Sequence, residues 1–321
     1  LPTLITGGTG LIGAGVARLL VETEKDRPHI FDINPSAKLL DGIENQIEMV
    51  RGDLGNFSHV LNAVEQARPE VIYHLGGMLS VPSDADPAAA MRANALGTFH
   101  VLEAARLFDV RQVLFSSTLA TYGMDLEEEA DIGDATLQRP ILFYGATKVF
   151  GEHMGLVYRR KYGLDFRSVR YPSIVGPGVK TPGIAQYNSW VIEESAQGRP
   201  YTIYVKPETR HSILYIKDAT RALVDLGRAA PERIKTVNYL LSGIDPPVAA
   251  GQLAELVRAR IPGAQIDFET DEIAQSALER VDRKLDDSKA QQEWGWKRQY
   301  GAEEMIDDFL EELKHNPQRY E

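Results

Sequence analysis

The sequence predicts an α/β fold: a doubly wound parallel sheet followed by a smaller α/β lobe toward the C-terminus. Three observations lead there. Short apolar runs alternate with longer amphipathic stretches through the first half of the chain, as strands and crossover helices do. A glycine-rich turn, Thr6-Gly7-Gly8-Thr9-Gly10-Leu11-Ile12-Gly13, joins the first apolar run to the first helical pattern. After Pro172 the rhythm breaks into turn residues, Gly176-Pro177-Gly178 and Thr181-Pro182-Gly183.

The elements follow in order. Residues 4–6 read as the first strand and 11–22 as the first helix. Strands are expected at 29–32 and 48–53, a helix over 58–66, and a strand at 71–75. Residues 88–107 read as one long helix, 112–117 as a strand, and the stretch around Tyr144 as a helix before a strand at 165–171. Beyond the break, 187–197 reads as a helix and 212–226 as a strand followed by a helix. Helices are then expected over 249–260 and 302–314.

Composition narrows the function. The chain has 321 residues, enough to bury a large core. Thirty-five Lys and Arg against 46 Asp and Glu give a net charge of −11, which disfavours nucleic acid and anionic membranes as partners. The absence of cysteine excludes disulfides, thiol catalysis and thiolate metal sites. No apolar run approaches the roughly 20 residues of a membrane span, and the opening residues lack the basic-then-apolar pattern of a signal peptide. The expected location is therefore cytoplasmic. No His, Asp or Glu grouping has metal-ligand spacing, so no metal is expected; Glu127-Glu128-Glu129 reads as a solvated loop.

The glycine turn suits a dinucleotide. Glycines permit the tight turn, the approach of backbone to a pyrophosphate, and close helix–strand packing. The helix N-terminus behind them presents N–H groups and a positive dipole end. Asp32 closes the second strand 19 residues past Gly13, where an acidic group accepts from ribose hydroxyls and repels a 2′-phosphate, favouring NAD over NADP. Its alternative role is to start the turn before Asn34-Pro35. Asp53 could meet the adenine or cap a helix.

Tyr144-Gly145-Ala146-Thr147-Lys148 puts a phenol and an ammonium on one helical face. A nearby cation favours the phenolate. Moving a tyrosine pKa from about 10 to about 7 needs about 4 kcal/mol of differential interaction, which Lys148 and a cofactor cation could supply together. The pair then serves as a proton-transfer device. Alone, the spacing also occurs as a plain surface pair.

Taken with Asn94-Ala95-Leu96-Gly97-Thr98, the run from Phe115 to Gly123 and Arg170-Tyr171-Pro172, these motifs resemble the extended short-chain dehydrogenase/reductase family, which includes the NAD-dependent epimerases and dehydratases. The resemblance implies a Rossmann domain over 1–172, with the chain returning to it at about 212–240, and a substrate-binding lobe from 173–211 and 241–321. It implies hydride transfer with NAD, Tyr144 as base in oxidation and acid in reduction, and Lys148 holding ribose hydroxyls and lowering the Tyr144 pKa. Thr118 takes the place of the residue that orients the reacting oxygen, with Ser117 beside it, and Asn94 supports the site. Gly7, Gly10, Leu11, Ile12, Gly13, Asp32, Asp53, Leu54, Leu75, Gly76, Ser116, Tyr144, Lys148, Tyr171 and Pro172 are the implied NAD contacts. Glycines at 76 and 77, where the family usually has alanines, are a mild variation. The family's usual homodimer packs helix 88–107 and the Tyr144 helix on a twofold mate.

Two substrate readings stand side by side. Nucleotide-sugar 4-epimerases and dehydratases usually have Asn where Ser173 stands, though Lys180, Lys206 and Arg210 remain as basic groups. The stretches His74–Ser80, Tyr162–Arg167, Leu285–Ser288 and Glu293–Trp296 are more similar to the short-chain L-threonine 3-dehydrogenases, which oxidise a secondary alcohol of a small polar substrate. That family holds its amino acid with a hydroxyl at the Ser80 position and a Gly-Thr-Thr loop. Here the loop reads Pro182-Gly183-Ile184-Ala185-Gln186-Tyr187, which suits a less polar or differently shaped substrate. Substrate-pocket candidates are Ser80, Ser117, Thr118, Ser173, Thr181, Gly183, Tyr187, Trp190 and Arg210; Tyr187 and Trp190 could equally be core packing and Arg210 a surface charge. A more remote reading is an NAD-binding regulator without turnover.

Overall fold

β-Branched and aromatic runs build a seven-stranded, wholly parallel sheet in this computed structural model, which describes residues 1–34, 36–124 and 131–320. In chain order the strands are β1 (Thr3–Thr6), β2 (His29–Asp32), β3 (Glu48–Arg51), β4 (Val71–His74), β5 (Gln112–Thr118), β6 (Asp165–Tyr171), β7 (Ser173–Val175), β8 (Tyr201–Ile203), β9 (Ile213–Tyr215), β10 (Asn238–Leu240) and β11 (Ile266–Phe268). The large sheet runs β10-β6-β5-β4-β1-β2-β3. Its order reverses between β1 and β4, and in such sheets ligands bind outside the C-terminal strand ends at that reversal.

Strands buried on both faces read as continuous apolar runs. All four residues of β1 and of β4 are buried. On one face the helices Leu11–Glu24 and Ile216–Arg228 set Val16, Ala17, Leu20, Ala219, Leu223 and Leu226 into the main core. On the other, Gly97–Leu107 and Phe143–Tyr162 cover β4, β5 and β6.

The smaller lobe has its own core of Tyr187, Val191, Ile203, Tyr215, Leu253, Val257, Met305, Ile306 and Phe309. Two-stranded parallel pairs, β7 with β9 and β8 with β11, knit it. Its C-terminal helices include Ala250–Arg260, Ala302–His315 and the terminal turn Pro317–Tyr320.

The long helix expected over 88–107 is three segments. Pro87–Ala90 is α-helical, Met91–Leu96 is a π-helical stretch, and Gly97–Leu107 resumes the α-helix. A π segment widens the turn at the cost of regular i→i−4 bonds and is frequent at functional sites. Here it holds the buried side chain of Asn94. Helices Ser80–Ala85, Glu272–Glu279 and Ser288–Trp294 were not anticipated, because runs this short carry too little periodicity. Residues 127–129 lie outside the described residues. Among the described residues no helix is long and apolar enough to cross a membrane, and no three His, Asp or Glu cluster as metal ligands.

Candidate active site

The C-terminal ends of β1, β2 and β4 meet at the glycine turn. Gly7 donates its N–H to Phe31 (2.8 Å), and Leu75 donates to Thr6 (3.1 Å). Gly7 has φ +67°, and a Cβ there would lie 2.5 Å from Gly76 Cα. Only glycine lets these two turns touch.

Behind the turn, helix Leu11–Glu24 begins at Gly10 with no side-chain cap and no acidic residue in its first turn. A helix start leaves backbone N–H groups without intrahelical partners. This one opens on a cavity of about 920 Å³ lined by Gly7, Gly10, Leu11, Ile12 and Gly13. The chemistry fits a phosphate group. Asp32 stands at the same wall. One carboxylate oxygen accepts from Thr9 N–H (3.2 Å) and the other from Asn34 N–H (3.1 Å). Its turn role and its place on the cavity wall thus coexist. Asp53 takes the N–H of Gly55 (2.8 Å), while Asn56 caps the following helix.

Tyr144 and Lys148 both line this cavity, as does Thr118 at the end of β5. Gly145 lets them converge: a Cβ there would collide with the carbonyl of Ala120, so the helix seats directly on the turn after Thr118. Lys148 is buried, donates to the Ser116 carbonyl (2.8 Å), and lies 5.6 Å from the Tyr144 ring centroid. Burial lowers its pKa to about 8, with the Glu152 carboxylate pulling it back up.

The expected lowering of the Tyr144 pKa is not what the protein alone produces. Burial pushes the phenol up to about 12, and only its hydrogen bond with Thr118 opposes this. Desolvation penalises the phenolate more than the buried ammonium, itself engaged with a carbonyl, rewards it.

Asn94 does not line the cavity. Its Oδ1 accepts from Met78 N–H (2.7 Å), and its Nδ2 donates to the Met78 carbonyl (3.0 Å) and Thr147 Oγ1 (3.1 Å). Thr147 in turn donates to the Tyr144 carbonyl (2.7 Å). Asn94 therefore ties the segment after β4 to the Tyr144 helix.

Two features were not foreseen. His74 is fully enclosed and joins the glycine turn to Asn94. Thr6 Oγ1 accepts from Gly76 N–H and lies 2.7 Å from His74 Nδ1. Thr98 Oγ1 donates to the Asn94 carbonyl (2.6 Å) and lies 3.0 Å from His74 Nε2. Those directions assign the proton to Nε2. Burial, with Lys148 adding, drops the His74 pKa to about 3. Beneath the floor, Arg170 pairs bidentately with Glu152, and Ser117 donates to the same carboxylate. Arg170 was legible as part of the Arg170-Tyr171-Pro172 motif, but nothing in the sequence named Glu152 as its partner.

All fifteen residues named as NAD contacts line the cavity, as do Ser80, Ser117, Thr118, Ser173, Thr181 and Gly183. Tyr187, Trp190 and Arg210 do not. Tyr187 is enclosed in the small-lobe core against His211 (3.2 Å), Trp190 donates to the Val179 carbonyl (2.8 Å), and Arg210 donates to the Pro247 carbonyl (3.1 Å). The small lobe instead contributes Ile184, Ala185, Ala277, Leu278 and Val281.

The family model described as the NAD dependent epimerase/dehydratase family matches residues 3–238. The chain belongs to this family. It is an NAD-dependent oxidoreductase of the extended short-chain dehydrogenase/reductase type. The mitochondrial L-threonine 3-dehydrogenase of Bos taurus is 29% identical over 311 residues, 96% of this chain and 81% of that one. The structure of a GalE-like L-threonine dehydrogenase from Cupriavidus necator, in its holo form, superposes with a TM-score of 0.89 at 28% identity, covering 98% of this chain and 100% of that one. UDP-glucose 4-epimerase of Thermus thermophilus, in complex with NAD, gives 0.82 at 24% identity over 98% and 99% of the chains, a likeness of fold alone.

Proposed function

We propose that this family member is a dehydrogenase, which oxidises a secondary alcohol of a small substrate in the manner of the L-threonine 3-dehydrogenases. NAD, when bound, supplies the hydride acceptor. Tyr144 removes the hydroxyl proton, and Thr118 holds the reacting oxygen beside it. Lys148 would hold the nicotinamide ribose hydroxyls, and Asn94 fixes the helix that carries Lys148 and Tyr144. Gly7, Gly10 and Gly13, with the helix start behind them, would hold the pyrophosphate, and Asp32 the adenosine ribose.

The observation favouring a dehydrogenase over a nucleotide-sugar epimerase concerns the basic groups of the small lobe. Arg210 and Lys206 lie off the cavity wall. Lys180, which lines it, is engaged by Glu193 (3.4 Å) and the Tyr320 carbonyl (3.0 Å). A nucleotide diphosphate needs such charges available. Net NADH from NAD and a secondary alcohol supports the reading. Conversion of a nucleotide sugar with no net NADH replaces it with an epimerase.

We propose also that the chain pairs as a homodimer through the helices Gly97–Leu107 and Phe143–Tyr162. Phe150, Val157, Leu96 and Leu107 are large apolar residues exposed there. Light scattering at a monomer mass would remove this reading.

A further inference from the structure

The small lobe closes the substrate end of the cavity with a wall built from two separate apolar clusters. Ile184 and Ala185 pack on the small-lobe core, which also contains Leu278 of helix Glu272–Glu279. Val281, one turn further, packs on the cluster of Leu119, Tyr122, Ile132, Leu240 and Leu285. Leu119 directly follows Thr118. Ile184, Ala185, Leu278, Val281 and Leu119 all line the cavity. With the loop after Gly183 on one side and the residue next to Thr118 on the other, they give the cavity an apolar path of lining, with Gln186 its polar neighbour.

Hydrogen bonds tie the wall to its neighbours. Tyr204 donates to the Gly183 carbonyl (3.0 Å) and accepts from Tyr187 N–H (3.1 Å), pinning the loop at both ends. Helix Glu272–Glu279 is capped by Asp271 and anchored by Gln275, whose Oε1 accepts from Lys206 N–H (2.9 Å) and Thr209 Oγ1 (3.0 Å). Of the charged residues on the described cavity wall, Asp32, Lys38 and Asp53 end or follow β2 and β3, Arg319 lies near Gly42, Arg92 is on the π segment, Lys148 stands beside Tyr144, and Lys180, on the small-lobe side, is engaged by Glu193 and the Tyr320 carbonyl. An ionised substituent against the apolar path would lose water without gaining a partner.

We propose that the substrate is a secondary alcohol whose carbinol carries an uncharged, apolar arm, seated on Ile184, Ala185, Leu278 and Val281. This deepens the dehydrogenase reading and rests on it. The carbinol end remains polar, with Tyr144, Thr118 and Ser80 on the same cavity.

The test uses the full chain loaded with NADH, in which alcohols bind without turnover. Binding of methyl 3-hydroxybutyrate, 3-hydroxybutyrate and L-threonine is compared by calorimetry, using both enantiomers of the first two. The neutral ester should bind at least about 10-fold more tightly than either charged ligand. The Val281→Thr protein should lose several-fold of that preference, with NADH affinity measured alongside as the check on folding. Equal or tighter binding of a charged ligand overturns the proposal, and so does absence of binding by the ester. Net NADH formation from NAD is followed separately. A neutral preference with no NADH from any alcohol sinks the dehydrogenase reading and the assigned substrate with it. NADH formed fastest from L-threonine sinks the apolar arm alone.

Discussion

Burial sets the working range of Tyr144 as the proposed base. With its pKa near 12, little Tyr144 is phenolate at neutral pH. The free protein's kcat/KM for alcohol oxidation should therefore keep rising with pH above neutrality, while carbonyl reduction, which needs the phenol, should not. A plateau reached near pH 7 in the oxidation profile would show that bound NAD, and not burial alone, sets the Tyr144 pKa. Tyr144→Phe should lower kcat by about 10²–10⁴-fold, the usual range for general acid–base catalysis. His74 offers a second residue-scale prediction. Its folded pKa of about 3 lies below the ordinary 6.5, so the unfolded chain binds more protons between those values. Its contribution is present above about pH 6.5 and is lost as pH falls toward 3, on the order of 1.4 kcal/mol per unit at most. Denaturant melts at pH 7 and pH 4.5 should show a smaller pH loss for His74→Gln than for the natural chain. At this scale the Tyr144–Lys148 pair was legible because i and i+4 share a helix face. The direction of the Tyr144 shift was not, because burial depends on elements remote in sequence.

The elements around the site owe their positions to close approaches and buried polar bonds. Gly145 is where helix Phe143–Tyr162 touches the Ala120 carbonyl. Gly145→Ala would push that helix away from the turn after Thr118, and a misplacement of about 1 Å can cost about 10²-fold in rate. We expect kcat to fall far more than NAD affinity, measured by steady-state kinetics and NADH titration. Unchanged kcat would mean the Tyr144–Thr118 spacing does not depend on this contact. The strand–helix alternation made the sheet readable through β6. The break at Met91–Leu96 was hidden, because alanine-rich stretches flank the weaker helix formers Asn94 and Gly97–Val101 and the extra residue of a π turn leaves no compositional mark. The wall on helix Glu272–Glu279 was hidden for another reason. Eight residues give a weak periodic signal, although Asp271 is a readable N-cap.

At the scale of the molecule, the C-terminal residues connect the two ends of the cavity. Gln318 donates to Asp41 (3.1 Å) beyond β2, and Lys180 of the small-lobe side donates to the Tyr320 carbonyl (3.0 Å). The Tyr320 ring also sits close to Gly178, with Leu39 opposite, and Arg319 lines the cavity. Removing residues 317–321 takes Arg319 from the cavity wall and cuts both cross-links, and should raise the Kd for NADH. An unchanged Kd would confine this segment to packing. Nothing in the sequence pointed to this clasp, because its partners are more than a hundred residues away and carry no motif. The reversal of strand order was readable from the glycine turn and the family motifs together. Dehydrogenase and epimerase separate in the absorbance of free NADH when the chain is given NAD and a secondary alcohol, beside its Tyr144→Phe form. A dehydrogenase with Tyr144 as its base gives net NADH from the natural chain and loses about 10²-fold or more in the variant. Epimerisation of a nucleotide sugar without net NADH, or equal NADH from both proteins, would contradict this reading.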